Sequence, residues 1–464
     1  MQKAGFHIVL FFLSTLTHGQ IGLLNNAGSQ VTVNEGSTVT INGTLTNQGD
    51  FNGNGPSEIT ISNDLQNGGS LETGDQSNLT VEGQLSNTGS MNTGVSSSYF
   101  IGQSFLNSNQ FFNTGLLVLG EDFNNTGTYN GVQGSLELNG PQAQLVNSND
   151  SIGFVDLIMN GAEGIFNVPV GVSGSLDLIN GIIRFDDPQN EIWILENAQV
   201  FGGSENSFVE ARMVRVGTGF RNFPVGVNGT FALVELEDVM GTSPVYAIQA
   251  FEPLPSDATI DRTLQAVSPL RYWILDKISG EFMGSILRVR ETPDLALEDL
   301  EPVQNAEAEF NKPVIAQSDT LEGDYRTMND FETVESTVDG LIVSDSLLSS
   351  RFFAIGIGPT IPPDGVLFIP NTFSPLASDP EDQVVKVYAE RIDETAEFSF
   401  RIFNRAGLMV FETNDFVEAN TIGWSGMNSR TGEEVPGGNY TYTILLTFEN
   451  GRTIDEIGSI SYVR

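Results

Sequence analysis

The residues that most often carry chemistry are scarce in this 464-residue chain. It contains no cysteine, so thiolate catalysis, thiolate metal sites and disulfides are excluded. Its two histidines, His7 and His18, both lie in the first 19 residues. If that segment is removed, no imidazole remains for a Ser-His-Asp relay, a His-ligated zinc or proton transfer near neutrality. From Gln20 to Ile183 there is no lysine or arginine. A uronate lyase needs a cation and a base, so this stretch does not suit one. A glycosidase needs two carboxyl groups about 5–10 Å apart on one face. The pairs Glu121-Asp122 and Asp186-Asp187 are adjacent in sequence, and neighbours in a strand point to opposite faces. No catalytic residue and no enzyme activity are expected.

One segment has the spacing of metal ligands. Asp50-Phe-Asn-Gly-Asn-Gly55 matches the opening of a calcium loop, with oxygen donors at alternate positions and a glycine at the turn. Such a loop ends in a bidentate acid at its twelfth position, which is Ile61 here, while Glu58 is out of register. An ordinary turn is the favoured reading. No cofactor is expected, calcium being the one ion weighed. The chain carries 59 acidic against 20 basic residues, a net charge of −39. Such a surface repels nucleic acid and anionic lipid, so no nucleic-acid partner is expected.

A repeat must position whatever this acidic, glycine- and asparagine-rich stretch presents. Val39-Thr-Ile41 returns as Ile59-Thr-Ile61, Leu79-Thr-Val81 and Tyr99-Phe-Ile101, each time after 20 residues. Leu45, Leu65, Leu85 and Phe105 follow at a fixed offset, then Asn47, Asn67, Asn87 and Asn107. Gly49, Gly69 and Gly89 come next, with Asn109 breaking that column, and Phe51, Leu71, Met91 and Phe111 complete the unit. The marked positions lie two apart, which is strand periodicity repeated on a longer period. One unit cannot bury its own apolar face, so stacking must make the core.

The pattern predicts an all-β chain opening in a parallel β-helix, a solenoid of about 20 residues per coil, with Ile41, Ile61, Val81 and Ile101 in one internal column. The asparagines form an amide ladder or fix a turn, and the glycines allow positive φ at a bend. Antiparallel meanders are the alternative; constant spacing and aligned asparagines favour the solenoid. Thr40, Thr60 and Thr80 read as a solvated strand face. Later units are Leu117-Val-Leu119, Leu136-Glu-Leu138, Val155-Asp-Leu157, Leu176-Asp-Leu178 and Trp193-Ile-Leu195. The rod would then have about nine coils and be roughly 40 Å long.

After these units positive residues appear and the 20-residue period fades. The solenoid is placed at 20–226, its end marked by Ser207-Phe-Val, Arg212-Met-Val-Arg215 and Phe223-Pro-Val-Gly226. A β-sandwich-like domain follows at 227–360, with strands at Tyr272-Trp-Ile-Leu, Ile286-Leu-Arg-Val-Arg290 and Phe352-Phe-Ala-Ile-Gly356. Glu291–Glu309 reads as a long acidic loop. Pro359, Pro362 and Pro363 mark a linker, 361–368.

Residues 369–464 alternate as short strands: Phe398, Phe400 and Ile402, then Leu408-Met-Val-Phe411, then Tyr440, Tyr442 and Ile444. Turns at Asn404-Arg-Ala-Gly407 and Pro436-Gly-Gly-Asn439 separate them. A small Ig-like antiparallel sandwich results, with Phe403, Trp424 and Tyr440 read as its core. The blocks Ile369-Pro-Asn-Thr-Phe-Ser-Pro, Phe400-Arg-Ile-Phe-Asn-Arg-Ala-Gly407, Trp424-Ser-Gly426, Pro436-Gly-Gly-Asn-Tyr-Thr-Tyr442 and a terminal Tyr-Val-Arg464 occur in order. This region resembles the gliding-motility-associated C-terminal domain, the type B sorting domain of the type IX secretion system in Bacteroidetes-type bacteria. Family members usually follow Phe-Ser-Pro with Asn-Gly-Asp-Gly, whereas this chain has Leu376-Ala-Ser-Asp-Pro-Glu-Asp382. The motif residues are Pro370, Asn371, Phe373, Pro375, Asn404, Arg405, Gly407, Trp424, Gly426, Gly438, Tyr440 and Tyr442. The resemblance implies that the secretion machinery and an outer-membrane partner beside its channel are the domain's partners.

Residues 1–19 have the form of a signal peptide. Lys3 precedes Ile8-Val-Leu-Phe-Phe-Leu13, and Thr17-His-Gly19 sets small residues before Gln20. The apolar run is too short to span a bilayer, so no membrane anchor is expected in the mature chain. Asp150-Ser-Ile, Asp319-Thr-Leu and Asp345-Ser-Leu resemble a short O-glycosylation signal. Together these readings describe a secreted, cell-surface structural or adhesin-like protein exported by type IX secretion. The alternative is a β-helix that binds or processes polysaccharide, with surface glycans as partners.

Overall fold

A computed structural model of the chain describes residues 22–131, 133–261, 263–290, 313–329, 337–338, 340–358, 365–393, 396–448 and 451–464. The expected signal peptide, the Glu291–Glu309 loop and the three linker prolines lie outside the described residues.

Each 20-residue unit folds into three short strands, because its apolar residues come in alternating sets separated by glycine and asparagine. In one unit these are Thr38–Ile41, Leu45–Asn47 and Asp50–Gly53. Each strand pairs in parallel with its counterpart one coil away: Ile41 with Ile61, Leu45 with Leu65, Phe51 with Leu71. Ile41, Ile61, Val81 and Ile101 form the expected internal column and are 7%, 0%, 0% and 0% exposed, so they face the core. Full burial of each such side chain contributes about 1.5–3 kcal/mol. The third ladder runs Val31, Phe51, Leu71, Met91, Phe111 and Tyr129. It resumes as Phe154, Val172, Ile194 and Arg215, which gives about ten turns.

Register corrects two of the later units. Leu138 pairs with Met159, so the stacked trio there is Leu157-Ile158-Met159 and not Val155-Asp-Leu157. The slip arises because Leu119 and Leu138 stack 19 residues apart whereas Leu138 and Met159 stack 21 apart. Trp193 pairs with Gly171, which puts it in the third ladder; the strand that follows Leu176-Asp-Leu178 is Gln199–Gly202. The glycine column also has a different cause from the one expected. Gly49, Gly69 and Gly89 are not among the positive-φ residues. A Cβ on Gly69 or Gly89 would lie 2.1 or 2.0 Å from the carbonyl oxygen of the glycine one coil earlier. Close coil contact selects glycine here. Where Asn109 replaces it, the hydrogen bond from Gln110 N to Gly89 O is 3.3 Å, against 2.9 Å for Ser70 N to Gly49 O and Ser90 N to Gly69 O.

The parallel ladders of the coils end at Arg212–Val216. One edge of that strand pairs in parallel with Glu191–Ile194, the other antiparallel with Val234–Phe251. Val234–Phe251 then pairs with Ala266–Gly284, and its first half also pairs with Gly219–Phe223 and Leu287–Arg290. The strands expected around 272, 287 and 352 all form, and they are antiparallel. One apolar cluster includes residues from Val33 to Ile355, so solenoid and antiparallel strands share a core.

The C-terminal region has its own core. Its five-stranded sheet contains Thr372–Phe373, Thr453–Tyr462, Gly438–Thr447, Ser399–Phe403 and Met409–Thr413, in that spatial order.

Candidate functional site

Two constructions in this chain are specific enough to bear function: the amide-laddered coil stack and the C-terminal domain with its ordered motif.

The stack places one asparagine per coil on the inside, immediately before the turn. Asn25 Nδ2 donates to Asn47 Oδ1, Asn47 to Asn67, Asn67 to Asn87, Asn87 to Asn107 and Asn107 to Asn125, each at 2.7 Å. The same nitrogens donate to backbone oxygens of Asp50, Ser70, Ser90, Gln110 and Thr128. An amide can do this on a repeating lattice because it donates and accepts at once. All six asparagines are at most 4% exposed, so each bond is made where an unpaired partner would be costly. Asn125 also reaches Ser148 Oγ at 3.3 Å in the next coil.

The acidic residues considered for chemistry help to hold turns. Asp122 Oδ1 accepts from Leu145 N, Glu121 accepts from Ser104 Oγ, and Asp187 accepts from Gln189 N. Asp50–Gly53 is a ladder strand with Phe51 inside. Ser151, Thr320 and Ser346, the hydroxyl residues of the three Asp-Ser/Thr motifs, are exposed. The third ladder is interrupted after Thr128–Asn130. No pairing joins it to the strand starting at Ile152 among the described residues. A cleft of about 210 Å³ opens there, lined by Tyr129, Asn130, Ser148, Asp150 and Ile152.

In the C-terminal domain the motif residues divide into core and turn. Phe373, Trp424 and Tyr440 are 2%, 1% and 5% exposed. Phe373 lies 5.2 Å from the Trp424 ring and stacks on Tyr462 at 4.9 Å, while Tyr440 meets Trp424 edge-on at 5.0 Å. Trp424 Nε1 donates to Met427 O, and the Tyr440 hydroxyl donates to Pro436 O. Gly426 has φ +83, and a Cβ there would lie 3.1 Å from the Tyr462 ring. Tyr442 is half-buried and packs 5.8 Å from Phe400. Phe403, expected in the core, is half-buried on the opposite face, because Phe400 and Ile402 hold the inner positions of that strand.

Asn404 builds the exposed turn. Its Oδ1 accepts from the backbone of Ala406 and Leu408, each at 3.0 Å, and Gly407 sits at φ +76. The tip therefore presents Arg405, and Leu408 is 65% exposed beside it. Asn371 and Gly438 are exposed, and Pro370 and Pro375 half-buried. The divergent first loop closes as a short 3₁₀ turn, Pro380–Gln383, capped by Asp379 Oδ1 accepting from Glu381 N at 3.0 Å.

Three features of this domain were not anticipated. Tyr462 belongs to the aromatic cluster and donates to Glu434, which also pairs with Arg464. The Tyr462 hydrogen bond, with Arg464 adding to it, holds the Glu434 carboxyl below its usual range. The helix Phe416–Thr421 starts at Asp415, whose carboxylate accepts from Val417 N and Glu418 N. Asp415 three residues before Glu418 is a capping pattern, readable in advance. Ile457 is 70% exposed on the outer face, in register with Thr443, which pairs across with Arg401.

Residues 367–461 match the family described as the CHU_C Type IX secretion signal domain. This stretch is a type IX secretion signal. It implies export of the chain by the type IX secretion system, to the cell surface or outside the cell, and interaction with that machinery. No curated protein matches the chain. Among the described residues, no helix is long and apolar enough to cross a membrane.

Proposed function

We propose that the exported chain is a non-catalytic rod with a structural or adhesive role at the cell surface. Like-on-like stacking through the amide ladder supports this most directly: it makes the outer surface a repeated one, suited to many weak, equivalent contacts. Among the described residues of the rod the exposed phenylalanines do not stack coil on coil, and Phe220, 52% exposed, lies on an antiparallel strand. Phe100 and Phe201 are 44% and 56% exposed on one ladder but lie five coils apart, and Phe112 belongs to another. The functional division we adopt is a signal peptide at 1–19, the solenoid at 20–226, the antiparallel domain at 227–360, a linker at 361–368 and the sorting domain at 369–464. Within the sorting domain, Phe373, Trp424 and Tyr440 hold the fold. Arg405, with Leu408, is the feature an outer-membrane partner would read.

Glycan binding is the second reading, favoured by the cleft lined by Tyr129, Asn130 and Asp150. Both readings are tested with cells that display either the full chain or a chain lacking residues 20–226. The rod reading expects attachment to abiotic and cell surfaces to fall on deletion, without any effect of competing polysaccharide. Competition by one polysaccharide, lost in Tyr129→Ala, would establish the second reading. Unchanged attachment after deletion would reject both.

A further inference from the structure

The solenoid ends on an unusual interior residue. In the third ladder the inward column runs Val172, Ile194, Arg215 and then Tyr246 across the switch to antiparallel pairing. Val172, Ile194 and Tyr246 are fully buried, and Arg215 is 4% exposed. A guanidinium thus occupies a position that aliphatic and aromatic residues fill in the coils before it. Burying such a charge is costly unless it is paired and hydrogen-bonded.

Arg215 is neither paired nor hydrogen-bonded. Its Nε and Nη1 are sealed from solvent without a hydrogen-bond partner, and so is the Nε of neighbouring Arg221. Arg221 spends its other nitrogens on the carbonyls of Phe220 and Val216. The nearby Tyr246 hydroxyl donates to Gly217 O at 3.3 Å and stays protonated, burial raising its pKa. Arg184, Arg212, Arg271, Arg288 and Arg290 each meet a carboxylate, and Arg326 donates to Ser350 Oγ. Among the described residues Arg215 and Arg221 have no such partner. Desolvation first, and the Arg221 charge second, push Arg215 down to about 10. Glu196 reaches the space beside Gly217 that Arg221 Nη2 also enters, but no carboxylate is in ion-pair contact with either guanidinium among the described residues, so the buried charge of Arg215 is left to be balanced from outside the chain.

We infer that Arg215 and Arg221 bind a small inorganic anion of the chloride class at the closing end of the solenoid. Sealed N–H groups from two side chains supply donors. A monatomic ion needs few of them, whereas a phosphate would bring four oxygens into a core that offers little else to satisfy them. The bound ion would fix the turn between the last parallel strand and the antiparallel strands.

The test is thermal unfolding of the full chain at fixed ionic strength, with sodium chloride replacing sodium gluconate. The unfolding midpoint should rise by several degrees with chloride, as it does for any ligand held only by the folded state. Arg215→Met, which keeps the volume and removes the charge, should show no chloride dependence. A flat wild-type response, or a variant that keeps the wild-type response, overturns the inference. Should that variant fail to fold, crystals of the wild-type chain grown in sodium bromide decide. An anomalous peak within hydrogen-bonding distance of Arg215 and Arg221 supports the site, and its absence overturns it.

Discussion

Coils between Leu23 and Ser148 are tied to one another by amides, hydroxyls and a few carboxylates that accept from a neighbouring coil, with no ion pair among their described residues, whereas from Arg184 onward ion pairs join the ties. In the first region asparagine amides, and hydroxyls such as Ser57 to Ser77 at 3.2 Å, bridge successive coils. In the second, Arg184 joins Glu163 and Glu210, and Arg212 joins Glu191 and Asp276. Periodicity explains the difference. An exact repeat puts each side chain over a copy of itself at about 4.8 Å. A charged column would then stack like charges, which is destabilising. Only groups that donate and accept together can be stacked on themselves, so amides and hydroxyls suit the repeat. Once the period fades, opposite charges can be set over one another, and basic residues enter the chain at that point.

The sharpest way to break this contrast is to interrupt the amide column. Asn67→Ala takes the acceptor from one Asn47 N–H, the other keeping Ser70 O, and takes the donor from the Asn87 oxygen inside the core. It should cost about 3–5 kcal/mol, from two unsatisfied buried groups and a small cavity, read by denaturant unfolding. A loss under about 1 kcal/mol would show that the ladder is incidental. Gly69→Ala should cost about 1–3 kcal/mol, because its Cβ would meet the Gly49 carbonyl and force the coils apart. The Asn109 coil shows how that strain is absorbed, by a lengthened interstrand bond.

On the ionic side, Arg184→Met should cost only about 1 kcal/mol, since Arg184 and its partners are partly exposed. Its cost should shrink in high salt, while that of Asn67→Ala should not. Equal salt responses would erase the distinction. The smallest effect is expected at Asp177, an acid that lies on the outer side of a parallel ladder. Its Oδ1 is sealed without a partner. Desolvation, reinforced by Asp156 and opposed by Ser175, raises its pKa. A raised carboxyl pKa penalises the folded state wherever the group is ionised. Asp177→Asn should therefore raise the melting point slightly at neutral pH. The gain should vanish as pH falls through the folded pKa to below the usual carboxyl range, where both states are protonated.

Much of this architecture was legible because a solenoid writes its fold in a short period. Ile41, Ile61, Val81 and Ile101 share a column because the chain returns to the same place every 20 residues. The asparagine ladder was legible for the same reason. The glycine column was visible but its cause was not. A carbonyl one coil away is a tertiary contact, and sequence spacing does not separate it from a φ requirement. Val155 and Trp193 fall elsewhere than their spacing suggests because coils of changing length move residues along and between ladders without altering composition. The shared core between coils and antiparallel strands left no mark, since both read as alternating apolar residues. In the C-terminal domain Trp424 and Tyr440 were readable as core. Phe403 was not, because Phe398, Phe400, Ile402 and Phe403 offer apolar residues to both faces.

The account rests on the claim that residues 369–464 carry the rod out of the cell, and fractionation of cells producing full-length chain and a chain ending at Phe368 tests it directly. The full chain should reach the surface or medium. The truncated chain should be retained in the periplasm with its solenoid folded, as shown by an unchanged rod unfolding transition. Equal export of the truncated chain would contradict the account and leave the C-terminal domain a structural appendage.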